Sequence, residues 1–155
     1  MQFEFFEFFV PGKPQGKARA RTVRLKSGAV TSFTPERTVS YENWIKTCFI
    51  NEYQKRNGDG LHFPLTGAVE IDINAYFAIP KSYSKKKRLE CLKDKIWPTV
   101  KPDVDNIAKV VCDALNGFAY NDDKQIVSLT INKGFVEPQN EGITVIIWSC
   151  EIQTI

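Results

Sequence analysis

The alternation of apolar and polar residues predicts four strands. Between Val69 and Ile79 apolar residues alternate strictly with polar or aromatic ones, which indicates a half-buried strand that ends at Pro80. A first strand is expected to end at Pro11-Gly12, and a loop containing Gly134, Pro138 and Gly142 is expected to separate the last two. These three further predicted strands are Gln2–Val10, Gln125–Ile131 and Ile143–Glu151.

A helical period appears in three other segments. Thr34 is expected to cap a long helix with Pro35 in its first turn, and the sequence Asn57–Gly60 stops it. Its apolar stripe comprises Tyr41, Trp44, Ile45, Cys48, Phe49 and Tyr53. A short basic helix is predicted over Ser84–Leu92, and another carries Ile107, Val110, Val111, Ala114 and Leu115 before Asn116-Gly117. We expect a loop or loose hairpin over Lys13–Ser32 and an extended segment over Lys95–Val104.

This order of elements predicts an α+β protein, with a mixed sheet and flanking helices in one compact domain spanning residues 1–155. The apolar fraction of 43% and the charged fraction of 25% are typical of a globular chain and argue against disorder. No apolar run approaches the ~18 residues of a membrane span, so no membrane association is expected.

The compartment is predicted from the cysteines and the N-terminus. Met1–Val10 carries Glu4 and Glu7 and does not have the pattern of a signal peptide. The cysteines lie far apart, without a CxxC motif, and we interpret them as reduced thiols of a cytoplasmic protein. The single histidine, His62, excludes a histidine-rich zinc site.

The net charge is only +3, but the charges are strongly segregated. Fourteen of the twenty-one basic residues lie in two runs, one between Glu7 and Glu36 and one from Lys81 to Lys101. Between Asp103 and Asp123 the balance inverts, with five aspartates and one lysine. Basic segments that border an acidic island are expected of a protein that binds a polyanion and acts on it with a metal ion. The alternative is that the basic runs are merely solvated surfaces.

The acidic island carries the candidate chemistry. Asp103 and Asp105 are two residues apart in an extended segment, so their carboxylates project to the same side, and Asn106 or Asp105 is expected to cap the following helix. On that helix Asn106, Lys109 and Asp113 share the face away from the apolar stripe. Asp122 and Asp123 enter the next strand, where a loop can return a third carboxylate to the site. Oxygen ligands without imidazole suit Mg²⁺ or Mn²⁺.

Each of these features also has an ordinary structural explanation. Aspartates cap helices and form turns, and Lys109 with Asp113 can be a simple helix pair. Taken together, however, five aspartates within twenty-one residues repel one another unless a cation compensates. The combined pattern therefore favours a metal site.

The sequence resembles the RusA-type Holliday junction resolvases, in the form seen in phages and prophages. The resemblance is carried by KPDVDNIAK at Lys101–Lys109, DALNG at Asp113–Gly117 and NDDKQ at Asn121–Gln125, and it extends to Val10–Arg21 and Ile79–Arg88. It implies a dimeric, Mg²⁺- or Mn²⁺-dependent endodeoxyribonuclease of the bacterial cytoplasm, of bacterial or viral origin, that acts on four-way DNA junctions in recombination and repair.

Matched position by position, the resemblance implies metal-binding catalytic aspartates at Asp103, Asp105 and Asp123, with Lys109 as the essential lysine. The adjacent Asp122 stays an alternative to Asp123. Two symmetric nicks suit two sites related by a two-fold axis, so a homodimer is expected, with the aromatic helix stripe or the first strand as candidate interface. The residues expected to bind DNA phosphates are Lys13, Lys17, Arg19, Arg21, Lys85, Lys86, Lys87, Arg88 and Lys101.

Two alternatives remain open at this point. One is a less specific metal-dependent nuclease for branched DNA, and the other is a nucleic-acid-binding module without catalysis. Among the aromatic residues near the charged segments, Trp97 and Phe118 are expected in the core, although a base-stacking role is open for Tyr83, Trp97, Phe118 and Tyr120. Glu70, Asp72 and Asn74 are expected to form a solvated strand face, or to border the acidic site.

Overall fold

A computed structural model describes residues 4–150. A four-stranded sheet organises the chain, and three helices and a separate hairpin accompany it. In chain order the elements are β1 (Phe5–Pro11), β2 (Arg21–Arg24), β3 (Val30–Phe33), α1 (Glu36–Lys55), β4 (Val69–Ala78), α2 (Lys85–Leu92), α3 (Val104–Leu115), β5 (Ile126–Val136) and β6 (Gly142–Ser149). Short 3₁₀ turns over Asp123–Gln125 and Pro138–Asn140 precede β5 and β6.

The main sheet has the order β1-β6-β4-β5 and is mixed. Strands β4 and β5 are parallel, and the crossover between them contains α2 and α3. Strand β6 is antiparallel to both of its neighbours, β1 and β4. The crossover therefore determines where α3, which carries the acidic motif, begins relative to the sheet.

One face of the sheet forms the core with α1 and α3. Inward residues of β1, β4 and β6 are buried together with α1 residues Tyr41, Ile45 and Phe49 and with the apolar side of α3. The alternating residues Glu70 and Asp72 lie on the opposite face of the sheet, where Trp148 Nε1 donates a hydrogen bond to Asp72 at 3.3 Å. These acids belong to the partly solvated strand face and do not border the start of α3.

The α+β class is confirmed, and the elements differ from the sequence prediction at several ends. Strand β5 continues through Gly134 to Val136, because ten residues of β4 provide a ladder long enough to extend the strand past the glycine. Helix α1 begins at Glu36 after an extended Pro35, and no side chain caps it, so the expected cap at Thr34 is wrong. The predicted first strand begins at Phe5 in the described chain; Gln2, Phe3 and Glu151 lie outside the described residues.

The segment expected to be a loop or loose hairpin forms β2 and β3. All eight residues of these strands are exposed, and the two strands pair only with each other. Arg21 pairs across the ladder with Phe33, and Arg24 with Val30. The hairpin is thus an arm of the molecule whose basic and apolar side chains face solvent.

The four cysteines, Cys48, Cys91, Cys112 and Cys150, are all free thiols in the described chain. No helix within residues 4–150 is long and apolar enough to cross a membrane.

Candidate active site

Helix α3 separates its apolar and polar residues sharply. Ile107, Val110 and Val111 are fully buried against the sheet and α1, as are Ala114 and Leu115. On the other side, Asp105 and Lys109 are exposed, whereas Asn106 and Asp113 are partly buried. This confirms the predicted helical face, and it places the ammonium of Lys109 about one turn from the carboxylate of Asp105 on one side and of Asp113 on the other.

Neither of the two aspartates at the start of α3 caps the helix with its side chain. Asp103 occupies the N-cap position with extended backbone angles (φ −70°, ψ 153°), but its side chain accepts no capping hydrogen bond. Asp105 lies in the first turn, so the expectation that Asp105 or Asn106 caps the helix is wrong. Both carboxylates lie where the positive end of the helix dipole favours an anion.

The segment before α3 is attached to the edge strand of the sheet. Lys133 of β5 donates to the carbonyl oxygens of Val100 and Pro102, the latter at 3.0 Å. The Lys101–Pro102 peptide is cis. The ammonium of Lys133 thus holds the approach to Asp103 against β5.

The adjacent aspartates Asp122 and Asp123 have different roles. Asp122 caps the 3₁₀ turn, where its carboxylate accepts from Lys124 N–H at 3.0 Å and its own N–H donates to Gln125 Oε1 at 2.9 Å. Gln125 in turn donates to the carbonyl oxygens of Leu65 and Gly67 at 2.8 and 2.9 Å. Because Asp122 is used by the turn, Asp123 is the carboxylate that the turn leaves available.

The pKa values of the two adjacent aspartates shift in opposite directions. The pKa of Asp122 is lowered, mainly by the hydrogen bond from Lys124 N–H. The pKa of Asp123 is raised, first by its hydrogen bond to Asp122 and further by slight desolvation and by the charges of Asp122 and Asp113. Asp123 and Asp113 are therefore close enough to repel each other, which a bound cation would relieve.

The predicted triad is not drawn together around one point. Within residues 4–150, no three acidic, thiol or imidazole side chains form a group that could already hold a metal ion. The nearby thiol of Cys112 does not change this, because burial and then the charges of Asp113 and Asp123 raise its pKa to about 11 and keep it protonated. The exposed carboxylates fit Mg²⁺ or Mn²⁺ by their chemistry, and the assignment of Asp103, Asp105 and Asp123 as ligands stays a prediction.

The N-terminal basic segment lies directly against α3. A Cβ at Gly16 would come within 2.9 Å of the Cβ atoms of Asn106 and Pro102, so only glycine allows this approach. Lys17 N–H donates to Asn106 O at 2.9 Å, and Ala18 N–H donates to Thr38 Oγ1 at 3.2 Å. The segment is thus attached to both α1 and α3.

The ammonium of Lys17 is shared by two carboxylates. It pairs with Asp113 at 3.2 Å and, more closely, with Glu42 of α1. Burial alone would lower the pKa of Lys17, but hydrogen bonds and charge from Glu42 and Asp113 outweigh burial and raise it. Lys17, predicted to bind phosphate, therefore already carries two anionic partners within the protein.

A pocket of about 390 Å³ joins the basic segment to the start of α3. Asp103 and Asn106 line it on one side. Its basic lining residues are Lys13, Lys17, Arg37 and Lys101. The structure thus brings three of the predicted DNA-binding residues together with one predicted catalytic aspartate, and it adds Arg37, which sequence reasoning missed.

The other predicted DNA-binding residues lie outside this pocket. Arg19 and Arg21 are exposed, the latter on the hairpin. On α2, Lys87 lies 3.8 Å from the ring centre of Tyr83, and Arg88 pairs with Glu137 at 2.8 Å. Lys85 and Lys86 are exposed on the same helix. The basic residues thus form several separate patches.

Two aromatic predictions are wrong. Trp97 and Phe118, expected in the core, are 54% and 41% exposed, because neither lies on an inward position of the sheet or a buried helix face. Tyr120 is fully buried and donates to Cys112 O at 2.6 Å, which leaves it unable to stack on a base. Trp44, on the same apolar stripe of α1 as the buried Tyr41, Ile45 and Phe49, is 42% exposed.

Comparisons with known proteins identify the family of this chain. The family model for endodeoxyribonuclease RusA matches residues 11–147, which include the basic segment, α3 and the aspartate turn. The uncharacterized protein YqaN of Bacillus subtilis (strain 168) is 34% identical over 136 residues, covering 84% of this chain and 88% of that protein. The chain therefore belongs to the RusA endodeoxyribonuclease family, and this membership indicates endodeoxyribonuclease activity.

Proposed function

We propose that the protein is a metal-dependent endodeoxyribonuclease that resolves four-way DNA junctions by paired, symmetric nicks. One observation carries the proposal: Asp103, exposed and free of a capping role, lines the pocket that also contains Lys13, Arg37 and Lys101. A carboxylate beside cations is the arrangement needed to bring a phosphodiester next to a metal ligand. Family membership supports DNA as the substrate.

Asp103, Asp105 and Asp123 would hold the metal ion. When bound, Mg²⁺ or Mn²⁺ would supply an activated water and neutralise charge on the scissile phosphate. Asp105 lies in α3, whereas Asp123 lies in the 3₁₀ turn before β5. Because all three carboxylates are exposed, binding of the cation would cost little desolvation of the protein. After the hydrogen bond with Asp122 and slight desolvation, the charges of Asp122 and Asp113 also raise the pKa of Asp123, and a bound cation would offset that charge contribution.

The remaining charged residues would act on the DNA directly. Lys109, one turn after Asp105 on the exposed face of α3, would stabilise the extra negative charge of the phosphate in the transition state. Lys13, Arg37 and Lys101 would hold phosphates next to the cleaved bond. Arg19, Arg21 and the exposed lysines of α2 would contact phosphates further away.

A homodimer would place two such sites on the two strands of a junction. The aromatic stripe of α1 is a poor interface, because Tyr41, Ile45 and Phe49 are buried in the core of the chain. Strand β1 is an edge of the sheet and remains the better of the two candidates. Sedimentation equilibrium should give twice the 17.7 kDa chain mass, and a monomer that still makes paired nicks would exclude the dimer.

The deciding experiment compares a synthetic four-way junction with a linear duplex of the same sequence, with Mg²⁺ and with EDTA. We expect symmetric nicks near the crossover only with Mg²⁺. Scattered cutting of the linear duplex would instead indicate a less specific nuclease. Tight binding without cutting under any metal condition would indicate a binding module and overturn the catalytic assignment.

A further inference from the structure

A second depression continues the pocket at Asp103 along helix α1. It has a volume of about 540 Å³ and shares Gln15 and Arg37 with the first pocket. Its other lining residues are Glu36, Ser40, Tyr41 and Trp44. The two depressions together form a groove that begins at a predicted catalytic aspartate and ends at an aromatic ring.

The ring of Trp44 is both held in place and accessible. Its indole Nε1 donates to Pro11 O at 2.9 Å, and the residue is 42% exposed. A ring fixed in this way loses little conformational freedom when a planar group stacks on it. Stacking on tryptophan does not depend on base identity, because every base has a π-face.

The charge of the groove favours a nucleic acid strand as its occupant. Arg37 lies in the shared part of the groove, where Gln15 Oε1 accepts from its Nε at 3.0 Å and orients the guanidinium. Lys13 and Lys101 line the end near Asp103. Glu36 also lines the second depression, next to Arg37 in the chain, and the groove as a whole is lined by four basic residues and two acidic ones.

The spacing within α1 suits a nucleotide strand. Arg37 and Trp44 are seven residues apart and lie on the same side of the helix, about 10 Å apart along its axis. This separation leaves room for one strand to place a phosphate at Arg37 and a base at Trp44. In paired duplex DNA the bases are stacked on one another, so a ring in this position is accessible only to a base that is unpaired, as at a branch point.

We propose that Trp44 is a stacking platform for an unpaired base of the branched DNA substrate, and that Arg37 holds a phosphate of the same strand. The inference rests on the proposed function and adds the group by which the enzyme distinguishes branched from linear DNA. It requires neither a metal ion nor cleavage, so binding can be measured in EDTA.

The first test is the affinity of Trp44→Ala for three probes in EDTA. The probes are a single-stranded oligonucleotide, a junction with unpaired nucleotides at its crossover, and a linear duplex. We expect roughly tenfold weaker binding of the first two, the size of one base-stacking contact, and unchanged binding of the duplex. Equal affinity of the variant and the parent for all three probes would overturn the proposal.

The second test uses tryptophan fluorescence and keeps an aromatic ring in place. Binding of the single-stranded probe should quench the parent protein. Trp44→Phe should keep most of the affinity but lose that quenching, whereas the control Trp148→Phe, altered at a tryptophan on the opposite face of the sheet, should retain both. Quenching that persists undiminished in Trp44→Phe would overturn the proposal, even if Trp44→Ala fails to fold.

Cleavage by the parent protein separates this inference from the function on which it rests. If the parent cuts junctions with Mg²⁺ but both Trp44 tests fail, only the stacking role is wrong. If the parent binds through Trp44 but cuts no DNA with any metal, the catalytic proposal is wrong. A parent protein that binds none of the three probes overturns both.

Discussion

The two ends of the polar face of α3 use their charges in opposite ways. At the N-terminal end, Asp103 and Asp105 have no side-chain hydrogen bond or ion pair among the described residues. At the C-terminal end, Asp113 shares the ammonium of Lys17 with Glu42. The same residue type is an unpaired carboxylate at one end and part of the scaffold at the other.

The basic segment shows the same division. Lys17 is 19% exposed in its side chain and is held by two carboxylates, whereas Arg19 and Arg21, only a few residues further on, are exposed. Charges that neutralise one another connect α1, α3 and the N-terminal segment. Charges without an internal partner remain available for a cation or for phosphate. The chemistry is thus expected at the unpaired charges, and stability at the paired ones.

The largest effect is expected for Asp105→Asn. Cleavage of a junction with Mg²⁺ should fall by more than about 100-fold, because losing even an indirect partner of a metal ligand costs ~10- to 100-fold. Binding in EDTA should persist and the melting temperature in EDTA should not fall, since the carboxylate makes no capping bond. A variant that melts well below the parent in EDTA would show that Asp105 belongs to the scaffold.

Lys17→Met should act mainly on stability. It leaves Glu42 and Asp113 facing each other without their shared cation, so we expect a loss of about 2 kcal/mol in the free energy of unfolding. The matched control Arg19→Met, at an exposed position, should change it by less than about 0.5 kcal/mol. The free energies of unfolding of both variants are measured by urea denaturation. Equal values would show that the paired Lys17 contributes no more to stability than the exposed Arg19.

Asp113→Asn should have a smaller effect than Lys17→Met. The ammonium of Lys17 keeps Glu42 as a partner, so we expect a loss of about 1 kcal/mol, the value of one hydrogen bond. The same urea measurement checks this order. A double variant with Glu42→Gln should lose more than the sum of the single changes if the two acids substitute for each other. Strict additivity would show that they act independently.

The smallest effect on fold and chemistry is expected for the hairpin. Arg21→Ala with Arg24→Ala should weaken binding of every DNA shape to a similar extent and reduce the salt slope by about two, one for each lost phosphate contact. The free energy of unfolding should stay unchanged, because both side chains are exposed on an arm that pairs only with itself. An unchanged salt slope would show that the hairpin does not contact DNA phosphates.

The sequence by itself determined the features that depend on local pattern. The alternation in β4 and the apolar stripe of α3 are unambiguous because each face has one environment, so the α+β class and the polar face carrying Asn106, Lys109 and Asp113 followed directly. The segregation of basic and acidic residues can also be predicted without a structure, because it depends only on the order of residues in the chain.

Only the tertiary structure decided which of these charges are used by the fold. Lys17 meets Glu42 and Asp113 because Gly16 allows the chain to lie against α3, a contact between segments far apart in sequence. Likewise, Arg37 lines the pocket at Asp103 and Trp44 lines the depression that continues it, because α1 lies beside the basic segment, whereas the helical period alone placed Trp44 only on an apolar stripe. Local patterns determine which side of an element is polar, but long-range packing determines which polar groups meet, and therefore which remain free to bind.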